Sequence, residues 1–306
     1  MKKIVIALGG NALIKHEQIG KFEEQLHNVR MSCKEIGEAE KKHYQIVLTH
    51  GNGPQVGNLE IQMKEAKKIV PAMPLDVEGA MTQAQIGYMI QQSLKEFLPH
   101  KKIATIITQV MVSENDSAFN SPTKPIGPSY SKKEALALQK KGIKLVFQKG
   151  KGFRKVVPSP MPKKIIEIET IKELIRRRNI VICCGGGGIP VIEKNGKIQG
   201  TDAVIDKDHA SQLLANSLGA QILVILTDTE FVKINYGTVQ EKNIHQAKAK
   251  LLKNYLMHGE FEEGSMKPKI EACLEFLRKG GRKAIITSLN KLIPALEEKT
   301  GTIITR

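Results

Sequence analysis

The sequence predicts an α/β fold: an open, mainly parallel sheet covered on both faces by helices, with one small subdomain protruding from it. Three observations carry that expectation. Short β-branched runs alternate along the chain with helical patterns. Three of the runs stop near glycine: Ile4-Val5-Ile6-Ala7-Leu8 before Gly9-Gly10-Asn11, Ile46-Val47-Leu48-Thr49 before Gly51-Asn52-Gly53, and Ile180-Val181-Ile182 ahead of Gly185 to Gly188. One proline-rich stretch breaks the rhythm. A buried parallel strand that ends in glycine leaves unpaired N–H groups at its carboxyl end, where an anion can approach closely. Three such ends point to one crevice built for oxyanions.

Taken in order, strands are expected near 4–8, 46–49, 103–108, 144–147, 180–183, 222–226, 284–287 and 302–304. The first follows Met1-Lys2-Lys3 and so imitates a secretory signal. However, Gly9-Gly10-Asn11 interrupts the apolar run and no small-x-small cleavage site follows, so it reads as a strand. Gly79 to Phe97 places Ile86, Met89, Ile90 and Leu94 at helical spacing, and Thr170 to Arg178 reads as a second helix. A third carries Ala210, Leu213, Leu214 and Leu218 up to Gly219, a C-cap in form. Six of the 13 prolines fall between Phe119 and Pro162. Inside that stretch Lys132 to Lys140 reads as helix and Ile143 to Phe147 as strand, so 119–162 is expected to protrude. A boundary near Lys164 divides a single domain into lobes 1–164 and 165–306.

Composition narrows the function classes. The chain has 306 residues, enough for a large core, and a formal charge of +16 from 47 Lys and Arg against 31 Asp and Glu. The basic residues are scattered, there are only eight Phe and five Tyr with no Trp, and no nucleic-acid motif occurs. The charge therefore reads as a solvated lysine-rich surface that also focuses small anions. No apolar run approaches the roughly 20 residues of a membrane helix. Four cysteines make no disulfide framework, and neither CxxC nor HExxH is present, so no protein-built metal site is expected and the cytoplasm is the expected compartment.

No GxxxxGK[ST] loop occurs, and Gly51 to Gly57 is one residue too long for GxGxxG. The sharper signal is lysine where helix physics disfavours it. Lys207 stands just ahead of a helix expected to begin near Asp208. Lys269 sits in the first turn of a helix opened by Ser265 as N-cap, with Pro268 in the tolerated first turn. A helix N-terminus carries partial positive charge, so a cation there is ordinarily unfavourable. Either lysine alone reads as solvated; the two together fit an anion lying between them. Asp208 reads either as a carboxylate that orients both lysines or as a common acidic first-turn residue. A phosphoryl group in transfer needs lysines and backbone N–H groups more than it needs a nucleophile.

The blocks IVIALGGNAL, THGNGPQVGNL, PLDVEGAMTQAQIGYMIQQ, SPTKPIGPSY, VVPSP, GGGGIPV, AVIDKDHAS and GSMKPKIEA, closing with KTGTII, span essentially the whole chain. In this ordered set the sequence resembles the carbamate kinases of the amino-acid kinase superfamily. The resemblance implies a three-layer α/β/α sandwich with a protruding lid, an acceptor-binding N-lobe and a nucleotide-binding C-lobe. It implies reversible phosphoryl transfer between ATP and carbamate, giving ADP and carbamoyl phosphate, with Mg²⁺, in a chain that is commonly a homodimer. It assigns acceptor binding to Gly9, Gly10, Asn11, Gly51, Asn52 and Gly53, and catalysis to Lys207, Asp208 and Lys269, leaving Lys267 at a variable position. Many superfamily relatives carry a lysine where this chain has Ala7; among the carbamate kinases the missing charge comes from the PTKPIGP lysine, here Lys124. Nucleotide contacts map to Gly185, Gly186, Thr227, Asp228, Tyr236, Ser265, Met266 and Pro268, although Tyr236 reads equally as a partly buried core tyrosine. Ser129 stands where the family more often has a bulkier apolar residue, and Asp202 where it commonly has Glu. Two other readings stay open: an amino-acid kinase with a different carboxylate or phosphate acceptor, and a non-catalytic metabolite-binding regulator.

Overall fold

In the computed structural model, which describes residues 1–15, 18–148 and 152–306, the strand Lys2–Leu8 lies at the heart of an eight-stranded sheet. The spatial order is Gln246–Lys248, Thr302–Thr305, Lys283–Ser288, Ile222–Thr227, Lys2–Leu8, Tyr44–His50, Ile180–Ile182 and Ile103–Thr105. Among the described residues of this sheet, only the pairing of Lys283–Ser288 with Thr302–Thr305 is antiparallel. Leu8, His50, Thr105, Ile182, Thr227 and Ser288 therefore all end at the same edge, with the chain order reversing on either side of Lys2–Leu8. Ligands of open α/β sheets bind at such a switch point, outside the carboxyl ends.

The strand residues alternate between two apolar layers, which is why their runs lack polar positions. Ile4, Ile6, Leu8, Ile46, Leu48 and Val224 face the helices Phe22–Lys41 and Leu75–Phe97, through Val29, Cys33, Ile36, Ile86, Met89, Ile90 and Leu94. Val5, Ala7, Val47, Val181, Leu223 and Ile225 face Ile168–Arg176, Lys207–Ser217 and Met266–Arg278, through Ile171, Ile175, Leu214, Ile270, Cys273 and Phe276. Each such aliphatic side chain contributes about 1.5–3 kcal/mol on burial, so both faces of the sheet are held strongly. All four cysteines are buried and free.

Short elements escaped the periodicity reading. The run expected as one strand over 103–108 stops at Thr105, and Gln109–Met111 joins a separate four-stranded sheet with Lys164–Ile165, Ile189–Lys194 and Lys197–Gly200. Gln83 causes the break: its Oε1 accepts from the Thr108 N–H at 2.7 Å, in place of a ladder bond. A hairpin of Val232–Ile234 and Lys242–Ile244 likewise has strands too short to show a period.

The proline-rich segment does form its own unit. Lys124–Tyr130, Gly152–Val157 and Leu145–Gln148 make an antiparallel sheet beside the helix Lys132–Lys140, which Ser131 and Glu134 close with a capping box. Residues 149–151 of it lie outside the described residues. This unit docks on the helix Gly53–Ala66, where Val56, Ile126, Val157 and Val204 form a small core of their own. The backbones approach so closely that a Cβ on Gly57 would sit 1.9 Å from Gly127 Cα, and Gly127 itself holds φ at +70°. Ser129 is exposed at an irregularity of its strand, so the smaller side chain costs no packing there.

Glu78, in the first turn of Leu75–Phe97, is 2% exposed, and its Oε2 has no hydrogen-bond partner among the described residues. Burial, with Glu60 adding repulsion, lifts this carboxyl to about 7 although Lys155 and Lys64 oppose the rise. An acid whose folded value is raised withdraws stability as pH climbs from its unfolded range through that value. Glu78→Gln is accordingly expected to raise the melting temperature at pH 8 and leave it unchanged at pH 4. Scanning calorimetry at the two pH values checks this, and an equal shift at both would contradict it.

Candidate active site

Three lysines from distant parts of the chain meet two neighbouring aspartates at the carboxyl edge of the sheet. Lys207 is the first residue of its helix rather than standing ahead of it, because Asp206, not Lys207, lies outside as the N-cap. The Asp206 Oδ1 accepts from the Asp208 N–H at 2.8 Å. Its other oxygen accepts from Lys124 Nζ, delivered by the first strand of the protruding sheet. Lys207 Nζ pairs with Asp208 Oδ1, and Lys269 Nζ approaches Asp208 Oδ2 at 3.3 Å. The Asp208 side chain is 3% exposed, so without these cations its charge would be untenable.

Ser265 does precede the helix Met266–Arg278, but its side chain makes no cap; its carbonyl instead accepts from Lys269 Nζ at 3.0 Å. Ser265 thus holds the expected N-cap position without the side-chain bond that usually goes with it. Met266 and Pro268 fill the first turn, with Met266 packed against the core below Lys269. Lys267, two residues from Lys269, points elsewhere and pairs with Glu263 at 2.6 Å on the surface.

The charge balance follows from burial. Burial alone would raise Asp206 and Asp208, but Lys124, His209 and Lys207 hold Asp206 far below the usual carboxylate range, and Lys207 and Lys269 depress Asp208. Both are ionised under any physiological condition. Burial and the nearby Lys269 lower Lys207 against the pull of Asp208, whereas Lys269 is raised because Asp208, Asp206 and Asp228 outweigh its burial.

The glycine loops close around this cluster. A Cβ on Gly51 would lie 3.4 Å from Lys207 Cδ and 4.0 Å from Gly10 N, so the Lys207 stem crosses between the first two loops. The Gly51 N–H itself donates to the Leu8 carbonyl at 3.1 Å, so Gly51 contributes space rather than a donor. Gly53 opens the helix Gly53–Ala66, whose first-turn N–H groups have no partner within the helix, and it faces the Pro125 carbonyl beside Lys124. Gly9 packs on the Leu226 carbonyl and thereby touches Thr227, whose Oγ1 donates to Asp228 at 3.0 Å. Asn11 is placed in the turn Gly10–Ala12 by its backbone.

Gly185 and Gly186, expected among the nucleotide contacts, are buried against His50 and the Asn52 amide, beside the loop Gly51-Asn52-Gly53. Tyr236 is 68% exposed on the hairpin turn, 5.9 Å from Lys233 Nζ, which corrects its reading as a core tyrosine; among the described residues no contact ties it to the cluster. Asn52, by contrast, is locked: its Nδ2 donates to Thr82 at 2.9 Å.

Sequence reasoning missed Asp206 and His50. The first was legible as an Asp two residues before Asp208 at a helix start, the ordinary N-cap signature. The second is buried, pushed down to about 4 by burial and by Lys207, so it stays neutral while its Nδ1 lies 2.9 Å from the Gly51 carbonyl. Among the described residues no group of three or more His, Cys, Asp or Glu could hold a metal ion.

The sequence profile of the amino acid kinase family matches residues 2–288. The carbamate kinase of Pyrococcus horikoshii is 48% identical over 311 aligned positions, 99% of each chain. The carbamate kinase from Giardia lamblia bound to citric acid superposes with a TM-score of 0.95 at 42% identity, covering 99% of this chain and 98% of that one. The same Giardia enzyme bound to AMP-PNP gives 0.90 at 42% identity with the same coverage.

Proposed function

Because this chain belongs to the amino acid kinase family, and within it to the carbamate kinases that move a phosphoryl group between ATP and carbamate, we propose that the three-lysine, two-aspartate cluster is the site of transfer. The observation that carries the reading is that Lys207 and Lys269 share one buried carboxylate, Asp208, while Lys124 is held beside them by Asp206. Lys207, Lys269 and Lys124 stabilise the charge that spreads over the oxygens of the migrating group, and Asp208 aligns the first two. Asp206 orients Lys124, so the protruding sheet acts as a lid that brings a cation.

Gly9, Gly10, Asn11, Asn52 and Gly53 bind the acceptor side, Gly51 leaves room for the Lys207 stem, and Gly185 and Gly186 back the acceptor loop. Thr227, Asp228, Met266 and Pro268 line the nucleotide side, with Ser265 anchoring Lys269 and Tyr236 as an outlying contact from the hairpin. With both site aspartates paired to lysines and no cluster of His, Cys, Asp or Glu among the described residues that could hold it, Mg²⁺ would sit on the nucleotide phosphates, where it would neutralise their charge. We assign residues 1–164 to the acceptor lobe and 165–306 to the nucleotide lobe. The cycle runs toward ATP in the cytoplasm, in arginine breakdown; four buried free thiols suit a reducing compartment.

ATP formation by the purified chain from ADP, Mg²⁺ and carbamoyl phosphate tests this function. Turnover with another acyl phosphate but none with carbamoyl phosphate would redirect the assignment to a different acceptor.

A homodimer is supported by one helix face. Val77, Met81, Ala84, Gln85, Tyr88 and Gln92 form an exposed, charge-free stripe on Leu75–Phe97, unusual in a chain this rich in lysine. Met81→Lys is expected to convert a dimer to a monomer in light scattering; an unchanged mass rejects this face.

A further inference from the structure

His209 is the third residue of the helix that begins with Lys207 and Asp208, and Glu271 sits two residues beyond Lys269 on the facing helix. His209 Nε2 lies 3.5 Å from Glu271 Oε2, with the imidazole side chain 13% exposed. The same two helices are thus cross-linked twice, by Lys269 to Asp208 and, two residues further on one helix and one on the other, by Glu271 to His209. The first link involves a lysine that must turn toward a transferring group. The second has no such task.

We propose that the His209–Glu271 pair is a positioning clasp, holding the helix of Lys269 in register with the helix of Lys207 and Asp208 while Lys269 leaves Asp208 for the phosphoryl group. The inference rests on the transfer site assigned above. It makes neither residue a catalytic one, since neither touches a reacting atom.

The charge around the imidazole favours the clasp closed. Glu271 faces it from the opposite helix, and Asp206 and Asp208 from its own; Lys124, Lys207 and Lys269 are paired to those two aspartates. Lys267, also near Glu271, is held by Glu263. Burial works against protonation of His209, but the facing Glu271 carboxylate and the two aspartates prevail and raise it above the ordinary histidine value. A raised histidine gives its full ion pair below the unfolded value and loses it as pH rises through the folded one. Turnover is therefore expected to decline on the alkaline side with an inflection above 6.5.

The experiment measures kcat and KM for ADP across pH in wild type, His209→Gln, Glu271→Gln and the double variant. Glutamine at 209 keeps a donor but cannot charge. Each single variant is expected to lose about tenfold in kcat, with KM changed less than about twofold and the alkaline inflection gone. The double variant is expected to be no worse than either single one. A wild-type kcat or a retained inflection in His209→Gln overturns the clasp, as do losses that multiply in the double variant. Thermal unfolding of the same four proteins reads the pair without reference to any reaction. If the wild-type chain formed no ATP, the transfer-site reading would fail, while additive melting shifts would sink the clasp separately.

Discussion

Lys269→Ala is expected to lower kcat by about 10²–10³-fold, whereas Lys267→Ala two residues away leaves it within about twofold. The two lysines share a helix turn and a charge, so composition alone would rank them equal. Their surroundings do not. Lys269 is 15% exposed, with Asp208 at 3.3 Å, whereas Lys267 is 36% exposed and meets Glu263 at the surface, where an ion pair is worth little. Removing Lys269 takes away a cation of the proposed transfer site and leaves buried Asp208 to a single lysine, which also disturbs Lys207. An interaction made mainly in the transition state should appear in kcat rather than KM. Steady-state rates of ATP formation decide the matter; equal, near-wild-type rates in both variants would reject the assignment.

Gly57→Ala is expected to cost about 10²-fold in kcat without touching any charged group. The added methyl would lie 1.9 Å from Gly127 Cα and 2.0 Å from its nitrogen, both backbone atoms that no rotamer change can move aside. The strand Lys124–Tyr130 must therefore lift off the helix Gly53–Ala66, and Lys124 moves with it, away from Asp206. The eight-stranded sheet does not depend on this contact, so the circular dichroism spectrum should stay wild-type. Lys124→Ala should reproduce the loss, and combining the two should add little, because both remove one cation. A Gly57→Ala protein with full activity would show that the lid's seat is not what sets Lys124.

What could be read from residues alone followed the strength of the local signal. The long aliphatic runs Ile4 to Leu8 and Ile222 to Leu226 gave their strands directly, because both faces of each are buried and no polar residue dilutes the pattern. Thr105 to Gln109 misled because Gln83, 25 residues away from Thr108, takes the ladder's hydrogen bond. At the site, Lys207 and Lys269 stood out through helix electrostatics, while Lys124 needed the family resemblance, since nothing local distinguishes it from any loop lysine. Asp206 is an ordinary cap by sequence; only its second oxygen, turned to Lys124, gives it another part. Gly185 and Gly186 look like a phosphate loop, yet their packing against His50 and Asn52 depends on how two strands lie side by side.

The site draws its cations from positions 124, 207 and 269, carried by a strand of the protruding sheet and by two separate helices. Closing loops of that length is slow and entropically costly, and no contiguous fragment contains the whole constellation. During refolding, secondary structure should return well before turnover. Catalytic competence is thus a late marker of the native state, registering only chains in which every distant segment has reached its place.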